Sequence, residues 1–327
     1  MRIARYPAAM LRLMVAVFAC ASLAGTGRAR ADDPGLPLDL PLDLSACAAL
    51  FDPVGMPSGI DGANGMDYAF RSGAEPPAPS RAFIYRCTAG GFALRLNGVT
   101  EVPDWVVENI TPGLIGDGAE RSDNFFVDPT LPAAYSAQLA DYRHSNFDRG
   151  HQAPAGDFSG DQQLMDETFV LSNMGPQVGR CFNQGIWRDL ETGIRSLVGS
   201  RKRLIVFTGP IFEGPLHTIA DHKAEMEKQA RAARGLPQQP AAAGDAPPAP
   251  SPAVPDAFYK IVYDPGGGRT IAFRFPNKAL CKTSYRERQF LTSVDAIEEE
   301  TGFDFLPKLP QRDQVMMERE TLPAWNW

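Results

Sequence analysis

Phe147-Asp148-Arg149-Gly150-His151 sets a carboxylate, a guanidinium and an imidazole around one glycine, a residue that permits a tight backbone turn. Those groups suit phosphodiester hydrolysis. The reaction needs a base for water, a cation for the charge developing on phosphorus, and help for the departing oxygen. Histidine fits the base because its ordinary pKa of ~6.5 leaves it mostly neutral at working pH yet able to take a proton. A single histidine in a loop is usually a surface residue, so His151 gains meaning only from its surroundings.

Downstream run Leu171-Ser172-Asn173-Met174-Gly175-Pro176-Gln177 and then Phe182-Asn183-Gln184-Gly185-Ile186-Trp187-Arg188-Asp189-Leu190-Glu191. Asn183 to Val198 reads as a helix ended by Gly199. At ~3.6 residues per turn, Asn183, Trp187 and Glu191 then share one broad face. An amide oxygen and a carboxylate there suit a hydrated hard cation, since magnesium keeps several waters and takes few protein oxygens. The plain alternatives are a helix cap for Asn183, a solvated charge for Glu191 and a core position for Trp187, and the last is adopted. His144 lies outside the motif, and His217 and His222 read as solvated. No Cys/His spacing suggests zinc.

In this order, Asp148 to His151, Ser172 to Gln177 and Asn183 to Glu191 resemble the DNA/RNA non-specific endonucleases, over about Phe83 to Leu306. The resemblance implies an α+β fold with a ββα-metal (His-Me finger) core on a central antiparallel sheet flanked by helices. It implies His151 as general base, Asn183 as direct ligand of Mg²⁺ (with Mn²⁺ as possible substitute), and Glu191 hydrogen-bonding the metal's water near the leaving oxygen. Asp148 would hold the finger's geometry and Asn173 brace the site. Arg121, in Glu120-Arg121-Ser122-Asp123-Asn124, matches the family's phosphate-stabilising arginine more loosely, and Arg149 is the second phosphate candidate. The implied activity is cleavage of DNA and RNA to 5'-phosphate ends. Two other readings are a phosphodiesterase for small nucleotides and a non-catalytic nucleic-acid-binding module of the same fold.

The chain opens with Arg2, Arg5 and Arg12, the apolar run Leu13 to Leu23 and Ala29-Arg30-Ala31, the pattern of a signal peptide over residues 1–31. The apolar run is shorter than the ~20 residues of a spanning helix, so the expected product is periplasmic or secreted, with no membrane attachment after cleavage. Four cysteines remain, and an oxidising compartment pairs them. Three connectivities are possible, of which Cys47–Cys87 with Cys181–Cys281 ties a peripheral segment to the core in each case.

The net charge is −7, and loss of a leader with five arginines and no acid leaves it near −12. That balance argues against bulk electrostatic attraction to nucleic acid, because affinity comes largely from phosphate neutralisation. DNA and RNA contacts must use a local basic cleft, and a homodimer is possible.

Residues 32–80, rich in Pro and Gly, read as a loose N-terminal arm clipped by Cys47, and residues 81–327 as the endonuclease domain. Strands are expected at Ala82 to Cys87, Phe92 to Leu96, Trp105 to Asn109, Phe169 to Leu171, Leu204 to Thr208, Phe258 to Tyr263 and Thr270 to Phe275. Helices are expected at Pro132 to Tyr142, Ala220 to Arg234 and Ser293 to Thr301. The Ala/Pro-rich stretch at about 235–255 reads as a disordered insertion within the domain.

Overall fold

The computed structural model describes residues 44–59, 83–88, 90–131, 135–237 and 251–319. The leader, residues 32–43 and 60–80 of the arm, and 238–250 of the insertion lie outside them.

Two short strands frame the termini: β1 (Ser58–Gly59) pairs with β11 (Phe303–Asp304). The main sheet has seven antiparallel strands in the order β10-β9-β8-β7-β4-β3-β2. These are β2 (Phe83–Cys87), β3 (Phe92–Asn97), β4 (Val102–Ile110), β7 (Leu204–Ile211), β8 (Ala257–Asp264), β9 (Arg269–Pro276) and β10 (Leu291–Thr292). A separate hairpin, β5 (Phe147–His151) with β6 (Met174–Val178), carries the opening motif.

Side chains alternate across a strand, and here both faces are covered. From Leu204-Ile205-Val206-Phe207, Ile205 and Phe207 enter one apolar cluster with Trp105, Tyr259 and Phe305. Leu204 and Val206 enter the other with Trp187, Leu190, Phe258 and Val262. The strands therefore read as unbroken apolar runs although the sheet is antiparallel.

The first face is covered by the 3₁₀ segment Leu44–Phe51 and by the helix Val294–Thr301. That helix is capped by the Ser293 hydroxyl, which accepts from Ala296 N at 3.1 Å, and stops at Gly302 with φ +74°. The second face is covered by the helix Arg188–Arg201.

Several expectations are corrected. The described part of the arm is not loose, because Cys47, Leu50, Phe51 and Val54 are buried in the core. The insertion ends before residue 255: Ser251 and Ala253 are buried, Ala253 N donates to Thr100 O at 2.8 Å, and Val254 N donates to His217 O at 2.7 Å. Phe169 to Leu171 is no strand; Val170 makes an isolated bridge with Phe126, and the strand is β6. Within Pro132 to Tyr142 the described helix is only Leu139–Tyr142.

The helix expected from Asn183 begins at Arg188, after irregular backbone over Gly179–Trp187, and runs past Gly199 to a left-handed Lys202. Cys47 pairs with Cys87 and Cys181 with Cys281, at Cα separations of 5.9 and 4.8 Å. No helix among the described residues is long and apolar enough to cross a membrane.

Candidate active site

The β5–β6 hairpin and the helix Arg188–Arg201 form a ββα unit on the second face of the sheet. Gly150 lies in a strand, opposite Gly175, and not in a turn. The space where its side chain would stand is filled: a Cβ there would run into the Gln177 side chain. The glycine thus serves close packing across the hairpin.

His151 ends β5. It is 9% exposed, its ring 4.9 Å from Phe169 in a T-shaped contact and 5.6 Å from Phe125. Burial, and then the charges of Arg121 and Arg149, push its pKa down to about 3, so the imidazole is neutral at working pH. Its Nε2 has no hydrogen-bond partner among the described residues. Arg149 stacks over Phe125 at 3.8 Å and Arg121 over Phe169 at 4.9 Å. The two rings that enclose the imidazole therefore also seat the two guanidiniums. Arg121 is half exposed and pairs with Asp123 at 2.7 Å.

Asn173 lies beneath the site, fully buried. Its Oδ1 accepts from Ala153 N at 3.0 Å, and its Nδ2 donates to Ala153 O at 3.0 Å and Thr168 O at 2.9 Å. It grips the backbone two residues after His151.

Asp148 Oδ2 accepts from Asn183 Nδ2 and from Gln184 Nε2, each at 2.8 Å. The helical argument for Asn183 and Glu191 does not hold, because Arg180, Cys181 and Gly185 depart from helical backbone. The two residues nevertheless line one cleft, and Trp187 points into the core.

That cleft, of about 1120 Å³, holds His151, Asp148, Asn183 and Glu191 with Arg121, Arg143, Arg149, Arg188 and Arg195. Five arginines face three acids, Asp123, Asp148 and Glu191, so the cleft is basic on an acidic chain. His144 does not line it, and His222, though exposed, packs its ring 4.8 Å from Phe147.

Beneath Glu191 lies a buried polar group that sequence reading missed. The sheet positions that send Val206, Ile110 and Phe258 toward the site helix also send Thr208, Glu108 and Lys260 there, as strand alternation requires. Lys260 Nζ donates to Thr208 Oγ1 at 2.6 Å, and Asp157 pairs with Arg195. Burial raises the Glu108 pKa, as does nearby Asp157. Burial also raises Glu191, to about 7, with Lys260 opposing and Asp157 adding to the rise. Arg195 was legible in principle: it follows Glu191 by four residues and Arg188 by seven, one face of a helix. Glu108 and Lys260 carried no such signal.

The hairpin, the helix packed after it and the flanked antiparallel sheet define a ββα-metal nuclease fold. The chain belongs to the DNA/RNA non-specific endonuclease family, whose model matches residues 83–312.

It is 34% identical over 293 residues to endonuclease G, mitochondrial, of Bos taurus, covering 87% of this chain and 88% of that protein. It is 35% identical over 224 residues to the mitochondrial nuclease of Saccharomyces cerevisiae, covering 65% of this chain and 63% of that one. A crystal structure of the EndoG/EndoGI complex, described as showing the mechanism of EndoG inhibition, aligns with TM-score 0.56 at 28% identity, over 70% of this chain and 88% of that one.

Proposed function

We propose that this enzyme is an exported, Mg²⁺-dependent endonuclease that cleaves both DNA and RNA and leaves 5'-phosphate ends. The observation that carries the reading is the buried, neutral His151, with Nε2 unpartnered, in a basic cleft also lined by Asn183 and Glu191.

The residues fit a magnesium ion. Asp148 engages the Asn183 nitrogen, which leaves the amide oxygen as the donor for a hard cation. One neutral oxygen with a nearby carboxylate is a sparse set of the kind magnesium uses when substrate phosphate completes its shell. Asn183 would hold the ion directly, and Glu191 would accept hydrogen bonds beside it. When bound, the ion supplies neutralisation of the charge developing on phosphorus and on the leaving oxygen.

His151 Nε2 accepts the proton of the attacking water. A pKa of about 3 in the free enzyme describes a weak base, but part of its depression comes from Arg121 and Arg149. A phosphodiester paired with those guanidiniums cancels their repulsion and raises the basicity of the imidazole when substrate is in place. The arginines contact phosphate, which carries no sequence information and is common to DNA and RNA.

Export is supported by the signal-like first 31 residues and by two disulfides, which persist in oxidising compartments. Both of the relatives named above carry "mitochondrial" in their names, so cell fractionation with N-terminal sequencing of the mature protein is the test of address. A plasmid-nicking gel and an RNA digest, each with and without EDTA, test the activity. Cleavage that persists in excess EDTA overturns the metal, and cleavage of dinucleotides but not polymers favours a small-diester phosphodiesterase.

A further inference from the structure

The segment carrying Asn183 is not regular helix. Gly179–Trp187 leaves helical geometry at Arg180, Cys181 and Gly185, and Cys181 sits at φ +68°, ψ −11°. Left-handed backbone is uncommon for a residue with a side chain and persists only where the surroundings impose it. A tether on this segment reaches it from the loop that follows β9, through Cys281.

That loop holds the site at two points. Cys281 is bonded to Cys181, two residues before Asn183. Asn277 Oδ1 accepts from Val178 N at 2.9 Å, and its Nδ2 donates to Pro176 O and Pro255 O, each at 2.9 Å. Pro176 and Val178 belong to β6 and stand opposite Arg149 and Phe147 of the strand that ends in His151. One short loop therefore fastens both the hairpin that carries the base and the segment that carries the amide.

We infer that Asn277 and the Cys181–Cys281 disulfide form a positioning clamp that holds Asn183 in register with the β5–β6 hairpin, and that a dithiol reductant opens it. The inference rests on Asn183 being the metal ligand. Neither member touches the reacting atoms. Cys281 is exposed and Cys181 half-buried, whereas in the other bridge Cys47 is fully buried and Cys87 half-buried against the core. Only the Cys181–Cys281 bridge has an exposed cysteine, so reduction of the folded protein favours it.

A thiolate of the dithiol attacks Sγ of Cys281, the S–S bond breaks and Cys181 leaves as thiolate. The second thiol of the reductant then displaces Cys281. Two electrons and two protons pass to the protein, giving two thiols, and the reductant ends as its own disulfide.

The test treats the folded full chain with dithiothreitol, alkylates it and locates the label by mass spectrometry, with Mn²⁺ binding followed by electron paramagnetic resonance. Labelling at Cys181 and Cys281 but not at Cys47 or Cys87 is expected. Mn²⁺ affinity should fall about tenfold, the usual worth of a group that orients a ligand, with KM for DNA unchanged and affinity restored on reoxidation.

Asn277→Ala should weaken Mn²⁺ to a similar degree with its disulfide intact. If that variant does not fold, the reduced wild-type protein still decides. Mn²⁺ affinity unchanged on selective reduction, or a lowered melting temperature with unchanged affinity, overturns the clamp. Asn183→Ala is the separate control: retained Mn²⁺ binding there overturns the ligand assignment itself.

Discussion

The carboxylate of Asp148 accepts the side-chain N–H of Asn183 at 2.8 Å, across 35 residues of chain. A primary amide offers one donor end and one acceptor end, so engaging the nitrogen decides which end remains for a cation. The same oxygen holds Gln184 at 2.8 Å, and a Cβ at Gly179 would meet Asp148 Oδ1 at 2.8 Å. Asp148 is thereby packed in place from the start of the segment it orients.

Asn183→Ala should abolish cleavage. Glu191→Ala, which removes a group beside the ion and no direct ligand, should lower activity and apparent Mg²⁺ affinity by about 10- to 100-fold. Asp148→Asn keeps the shape but loses the acceptor charge, and should weaken Mg²⁺ affinity without raising KM for DNA. Mg²⁺ titration of plasmid cleavage for the three variants gives the order of severity, and an Asn183→Ala protein that cleaves normally ends the assignment.

His151→Ala should retain fold and DNA binding while losing about 10² to 10⁴ in rate, the usual contribution of a positioned general base. In the free wild-type enzyme the His151 ring should show no titration between about pH 5 and 8 by NMR, because burial and two arginines hold its pKa near about 3. Arg149→Ala should move it upward. A ring that titrates with an ordinary midpoint in the wild type contradicts the account.

Both disulfides should contribute to stability, each by about 2 to 4 kcal/mol. Paired serine substitutions, Cys47→Ser with Cys87→Ser and Cys181→Ser with Cys281→Ser, should each lower the urea midpoint. The first pair anchors Leu50 and Phe51 against the sheet and should leave Mg²⁺ dependence unchanged. Four free thiols in the non-reduced, oxidised protein, found by mass spectrometry, would remove the bridges from the account.

Glu101 is 2% exposed with both carboxylate oxygens unpartnered among the described residues, and burial, with Asp141 nearby, raises its pKa to about 8. A folded-state value above the unfolded one means the folded protein holds the proton more tightly. This contribution to stability is complete below the ordinary carboxylate range and is lost as pH rises toward about 8. Glu101→Gln, which cannot ionise, should match wild type near pH ~4 and exceed it at pH ~9 by roughly 3 to 5 kcal/mol. Thermal melts at the two pH values check this, and an equal difference at both contradicts it.

Much of the site was legible because it is local. Asp148 to His151, Asn173 and Asn183 to Glu191 lie in short runs whose residue types carry the chemistry, and the apolar runs of β7, β8 and β9 announce buried strands. Their arrangement was legible only through resemblance, and where local periodicity was used to place Asn183 and Glu191 it misled. A 3.6-residue period presumes regular backbone, and the segment before Arg188 is shaped instead by Cys181–Cys281 and by Asp148.

What the sequence determined by itself was the inventory: one histidine in a charged motif around a glycine, an amide and a carboxylate downstream, four cysteines after a signal-like segment, and an acidic balance that called for a local basic cleft. Tertiary structure alone decided the rest. Arg143 joins that cleft, and Phe125 and Phe169 enclose the His151 ring. Glu108, Thr208 and Lys260 meet beneath Glu191 because three strands far apart in sequence present the same parity to one helix. Local sequence sets which side chains alternate together on a strand, but the register between strands, which sets what those side chains face, exists only once the sheet has closed.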